Sequence, residues 1–126
     1  MTPVLFLMIA VAGGVGAAAR FVLDGVIRAR LGGRYPLGTT IINVSGSLLL
    51  GFVTALALSG VVDDSWRLVL GGGFLGGYTT FSTASIETVR LLHEGRSRAG
   101  LANAFGMLVA SVLAAILGYW LGALVG

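Results

Sequence analysis

The chain has 126 residues, is 56% hydrophobic and 10% charged, and carries a formal net charge of +3; its mean hydropathy is +0.98. Such fractions lie far from those of ordinary soluble domains, and at about 20 apolar residues per bilayer crossing the length allows roughly four spans with no soluble domain besides. All eight basic residues are arginines set between apolar runs, which leaves no basic face for nucleic acid, and the absence of cysteine excludes disulfides, thiolate catalysis and sulfur-held metals.

The first predicted span runs from about Pro3 to Val26; it lacks the basic start of a cleaved signal and is long enough to cross, so it reads as a retained helix. Arg28, Arg30, Gly32, Gly33, Arg34 and Pro36 then form a polar, turn-rich connection. The second span is expected from about Leu37 to Val62, and Asp63, Asp64 and Ser65 form a short loop that can cap the third, which reaches about Leu92. Within the third, Gly71, Gly72, Gly73, Gly76, Gly77, Tyr78, Thr79 and Thr80 have poor helix propensity at mid-membrane, so a break is expected there. Glu94 to Ser97 make the last loop, and the fourth span runs from about Ala99 to Leu124. Residues 1–126 thus read as a single all-α membrane domain of four transmembrane helices with the third one broken.

Four crossings put the termini and the Asp63 loop on one side, which carries only Arg67. The other side carries Arg28, Arg30, Arg34, Arg90, Arg96 and Arg98. The positive-inside rule then places both termini outside the cytoplasm of a cell inner (plasma) membrane and predicts insertion in one orientation only.

Thr39, Asn43, Ser47 and Gly51 recur every four residues and share one small, polar stripe of the second helix. Close helix packing accounts for Ser47 and Gly51. A carboxamide inside a membrane needs partners, and for Asn43 an ion pathway and structural glue are equally good readings. In the third helix, a break at membrane depth would release backbone groups that only protein, water or an ion can satisfy. Carbonyls suit a hard cation such as Na⁺, whereas hydroxyls and amide hydrogens suit a small anion. A glycine-kinked packing helix with back-bonded Ser and Thr would look similar from sequence. Gly71, Gly73 and Gly76 fit G-x-G-x-x-G, but with no preceding strand the match is discarded. No nucleophile, base and orienting group assemble, so no enzyme is expected. Glu87, three residues from Arg90, reads as a helix-surface pair; a small four-helix drug or cation exporter would need a mid-membrane carboxylate, and the first, second and fourth spans offer none.

Three ordered sets of residues resemble the Fluc (CrcB) family of fluoride channels over the whole chain: Gly13, Gly14, Gly16, Ala17 and Arg20; Pro36, Gly38, Thr39, Asn43, Gly46 and Gly51; and Gly76, Gly77, Thr79, Thr80, Phe81, Ser82 and Thr83. The resemblance implies an antiparallel dimer of four-helix subunits that passes fluoride out of the cell through the lipid bilayer. A central structural Na⁺ would be held by backbone carbonyls, which Gly76 and Thr79 would supply. By the same resemblance Asn43 would donate its amide to fluoride, Phe81 would present its ring edge, and Ser82, Thr83 and Ser111 would line a polar track. Arg20, and with it Thr39, would support a vestibule or the dimer. The chain departs from the family pattern at Ala84, where a second phenylalanine is usual, at Asn103, where a tyrosine is, and at Met107, where a hydroxyl often stands. With the one-sided arginines, these departures lead us to expect a homologous partner of opposite orientation.

Overall fold

The computed structural model describes residues 2–32 and 36–126, apart from the side chain of Ser82. Gly33, Arg34 and Tyr35 of the first connection fall outside it, and with them the expected contribution of Arg34 to the arginine-rich side.

Helix α1, Pro3–Leu31, starts where the Thr2 hydroxyl accepts the Leu5 amide at 3.1 Å and Pro3 occupies the first turn, whose unpaired amide a proline does not need. It ends at Gly32, whose φ of +81° turns the chain out of the helix. Helix α2, Leu37–Leu58, stops before Gly60, again at positive φ. Asp63 caps the Ser65 amide at 3.2 Å to open α3, residues 64–78, whose turns widen to a π-helix over Arg67–Leu75. Thr79 (φ −82°, ψ 156°) and Thr80 (φ −148°, ψ 119°) are extended, and α4, Phe81–His93, begins after them. The last helix, α5, Ser97–Val125, widens in the same way over Ala102–Gly106.

Helices α1, α2 and α5 are each long and apolar enough to cross a membrane. Neither α3 nor α4 reaches the roughly 20 residues that a crossing takes. The outer surface is apolar, with Phe21 79% and Trp120 57% exposed, while few hydrophobic residues are buried among those described, and the cluster they form is Ile42 and Leu75 around Tyr78. That inversion is what a lipid solvent permits: chains that face hydrocarbon gain little from hiding apolar side chains, so the helices associate by close backbone approach.

Glycines make that approach possible along two seams. Between α2 and α5, a methyl on Gly51 would fall 2.1 Å from the Ala115 carbonyl oxygen, and one on Gly118 would fall 1.9 Å from that of Leu48. Between α1 and α3, Gly16 meets the Phe74 carbonyl and Gly77 that of Gly13 in the same manner. Most of the glycine run expected to unwind the third helix is therefore helical and spent on packing. The extended residues are the two threonines that follow it.

Candidate functional site

The chain interruption is closed by one side chain from the neighbouring helix. Asn43, on α2, accepts the Thr80 amide through Oδ1 at 2.8 Å and donates from Nδ2 to the Thr80 carbonyl at 2.9 Å. One carboxamide thus takes the place of a paired strand for the residue that left the helix, which meets the requirement that backbone polar groups in a membrane be satisfied. The reciprocal pair also fixes which end of the carboxamide is nitrogen, since an amide donor and a carbonyl acceptor lie on opposite sides of it. The second Nδ2 hydrogen goes to the Met107 sulfur at 3.2 Å.

Further bonds settle the remaining ends. The Thr80 hydroxyl caps α4 by accepting the Thr83 amide at 3.2 Å, and it donates to the Thr83 hydroxyl at 3.2 Å. Arg20 on α1 donates from Nε to the Gly77 carbonyl at 3.2 Å, placing a cation at the C-terminal end of α3, where the helix dipole favours one. An uninterrupted helix would return the Thr80 amide to the Gly76 carbonyl and the Thr83 amide to that of Thr79. Here those amides go to Asn43 and to the Thr80 hydroxyl, so the carbonyls of Gly76 and Thr79 are released from the helical ladder.

A cavity of about 620 Å³ opens beside this junction, lined among others by Asn43, Ser47, Gly76, Thr79, Thr80, Phe81, Asn103, Met107 and Ser111. Of the residues singled out by sequence, it brings together Asn43, Gly76, Thr79, Phe81 and Ser111. Phe81, at the first turn of α4, is 86% exposed. Thr83, bonded in the α4 cap, and Arg20, bonded to Gly77, do not line the cavity. Thr39 is buried in the first turn of α2 and does not line the cavity. Ser82 lies outside the described side chains. In the polar stripe of α2, Ser47 faces the cavity, whereas Gly51 packs on α5.

Glu87 departs from the sequence expectation, and Asn103 has partners that the sequence reading did not assign. Glu87 is no surface partner of Arg90: it is 5% exposed, its Oε1 has no hydrogen-bond partner among the described residues, and it lines a small polar pocket with Asp24, Arg28 and Arg90. Gly38 of α2 lines the same pocket, and a methyl there would run into the Asp24 carboxylate. Asn103, 0% exposed, donates to the Thr88 hydroxyl at 2.8 Å and to the Ala84 carbonyl at 3.4 Å, tying α5 to α4.

The sequence reading named Thr80 and Met107 but gave neither a bond to Asn43. A usable signal existed, since Asn43 in an apolar helix requires several partners and a break in an adjacent helix is the nearest source of unpaired backbone groups. The 3.0 Å bond between Ser45 and the Tyr78 hydroxyl was legible on the same ground.

A family model described as CrcB-like protein, Camphor Resistance (CrcB), matches residues 7–119. The chain is 56% identical over 124 residues, covering 98% of itself and 90% of the relative, to the fluoride-specific ion channel FluC 1 of Leifsonia xyli subsp. xyli. It is 51% identical over 117 residues to the fluoride-specific ion channel FluC 2 of Cutibacterium acnes, covering 92% of itself and 95% of that protein. To the fluoride-specific ion channel FluC of Solibacter usitatus it is 42% identical over 120 residues, 94% of this chain and 95% of the other.

Proposed function

Because the chain belongs to the CrcB family, we propose that it is a subunit of a fluoride-selective passive channel, not an enzyme, that lets fluoride leave the cytoplasm across the plasma membrane. The observation that carries this reading is the junction at Thr79 and Thr80, where amide and hydroxyl donors and released carbonyls meet at a cavity inside an otherwise apolar bundle. Fluoride is small and strongly hydrated, so a pathway must replace water with several donors yet hold the ion weakly enough to let it go. Asn43, Ser111 and Phe81 line the cavity, and in this reading the amide and the hydroxyl would serve as neutral donors, supplemented by the electropositive edge of the ring. Thr83 and Ser82 would extend the track along α4, with Arg20 and Thr39 supporting its approaches.

In this reading α3 and α4 together make one crossing, the third of four, interrupted at mid-depth. The Gly76 and Thr79 carbonyls fit a hard cation by chemistry, and Na⁺ bound there would tie subunits together electrostatically. Gly76 and Thr79 would offer that ion two oxygens from one chain, fewer than a hard cation takes, which supports a dimer in which a second subunit brings its own pair. The one-sided arginines support an antiparallel arrangement with a homologous subunit of opposite bias, this chain having both termini outside the cytoplasm.

A fluoride-electrode efflux assay in liposomes tests the proposal. Reconstituted with a homologue of opposite arginine bias, the chain should release fluoride without chloride and without proton coupling, and alone it should do so slowly. Robust efflux from the chain alone would remove the heteromeric arrangement. No fluoride release in either preparation would remove the channel.

A further inference from the structure

The carboxamide of Asn43 has one oxygen and two amide hydrogens, and their uses differ. The oxygen and the hydrogen on its own side are tied to a single backbone residue, Thr80, at 2.8 and 2.9 Å. This pairing locks the plane of the group and aims the other hydrogen away from Thr80. There it meets the sulfur of Met107 at 3.2 Å. Met107 is 7% exposed, and it and Asn43 both line the cavity.

A thioether is among the weakest acceptors a protein has, on a side chain with three rotatable bonds that moves readily. A fluoride ion is at the other extreme, since hydrogen bonds to a full charge are about twice as strong as neutral ones. Between these limits lies the alternative of no acceptor at all, which leaves a buried amide hydrogen unsatisfied. We propose that Met107 sets the affinity of the fluoride pathway: its sulfur holds the second Asn43 hydrogen when no anion is present and gives way when one arrives.

The inference rests on the fluoride reading of the site. Its consequence is that Met107 sets how tightly the site binds. A strong resident acceptor would keep the amide from the ion, and none would make the ion too costly to release; a thioether keeps exchange close to balance, which conduction requires. Thr80 remains paired throughout, so the ion can come and go without loosening the chain interruption.

The test reads the two Nδ2 hydrogens of Asn43 by NMR on the full-length protein in lipid nanodiscs during titration with sodium fluoride at constant ionic strength. In the wild type, fluoride should shift the hydrogen facing Met107 and leave the one on Thr80 nearly still. Met107→Leu, which keeps the volume and removes the acceptor, should move the same hydrogen before any fluoride is added and lower the half-saturating fluoride concentration about 5-fold or more. Met107→Gln, which offers a carbonyl at similar reach, should raise it. A purely structural role for Met107 would not move the midpoint in opposite directions in the two variants. Equal midpoints in all three proteins would overturn the proposal and leave the channel reading standing. No fluoride response at Asn43 in the wild type would overturn the proposal together with the assignment of Asn43 to the anion.

Discussion

The seam between α2 and α5 and the junction between α3 and α4 solve opposite problems with small residues. At the seam, Gly51 and Gly118 bring two backbones into contact while both helices keep their internal ladders. At the junction the ladder is given up, and Asn43 restores the lost pairing from outside. The contrast teaches that in this bundle glycine density marks where helices approach, and that the interruption is placed by what can satisfy it. Gly71 to Gly77 keep helical dihedrals, and two threonines of β-branched, extended preference leave the helix where a carboxamide waits.

The largest effect that would break this comparison belongs to the seam. Gly118→Val puts side-chain atoms into the Leu48 carbonyl, a backbone group that cannot step aside. We expect destabilisation of about 3 kcal/mol or more, read as loss of monodisperse protein on size exclusion in detergent. If Gly118→Val behaves as wild type, the seam is not close-packed as described.

Asn43→Leu comes next. It removes the bonds that tie the Thr80 amide and carbonyl to α2, at a cost of about 1–3 kcal/mol for each, and it should abolish fluoride efflux while some assembled protein survives. Wild-type efflux from Asn43→Leu would show that the junction needs no outside partner. Thr80→Ala sharpens the point, since it keeps the backbone groups that Asn43 binds and removes the hydroxyl that caps α4 and bonds Thr83; about 1 kcal/mol of stability should be lost, measured by thermal unfolding in detergent.

Phe81→Ala should separate function from folding. With the ring 86% exposed in the single chain, truncation should change subunit stability by less than about 0.5 kcal/mol, yet efflux should fall to background. The smallest change is expected from Gly72→Ala, where an added methyl meets nothing within 4 Å. Its helix should gain up to about 1 kcal/mol from the lower backbone freedom of alanine. A loss instead would mean that the glycine run is needed for flexibility.

Much of this was legible in the residues. The start of α3 followed from Asp63, and the apolar runs gave α1, α2 and α5, because hydropathy and capping are local properties, although α1 runs on to Leu31, past the expected Val26. The resemblance carried by Asn43, Gly76, Thr79, Phe81 and Ser111 gathered residues that do line one cavity. What the sequence could not convey was pairing. That Arg20 reaches Gly77, that Asn43 bonds Thr80 in both directions and that Asn103 ties α5 to α4 depends on how helices far apart in the chain face one another. Glu87 shows the same limit: three-residue spacing suggested a surface pair with Arg90, but the residue is buried at a pocket that it and Arg90 line with Asp24 and Arg28 of α1, which no local rule encodes.

The central claim, that Asn43 holds the interruption open, is tested most directly by hydrogen–deuterium exchange at the Thr80 amide in a bilayer. The account predicts protection comparable to helical neighbours in the wild type and in Gly76→Ala, where a methyl fits, and rapid exchange in Asn43→Leu. Unchanged protection of Thr80 in Asn43→Leu, or its loss in Gly76→Ala, would contradict it.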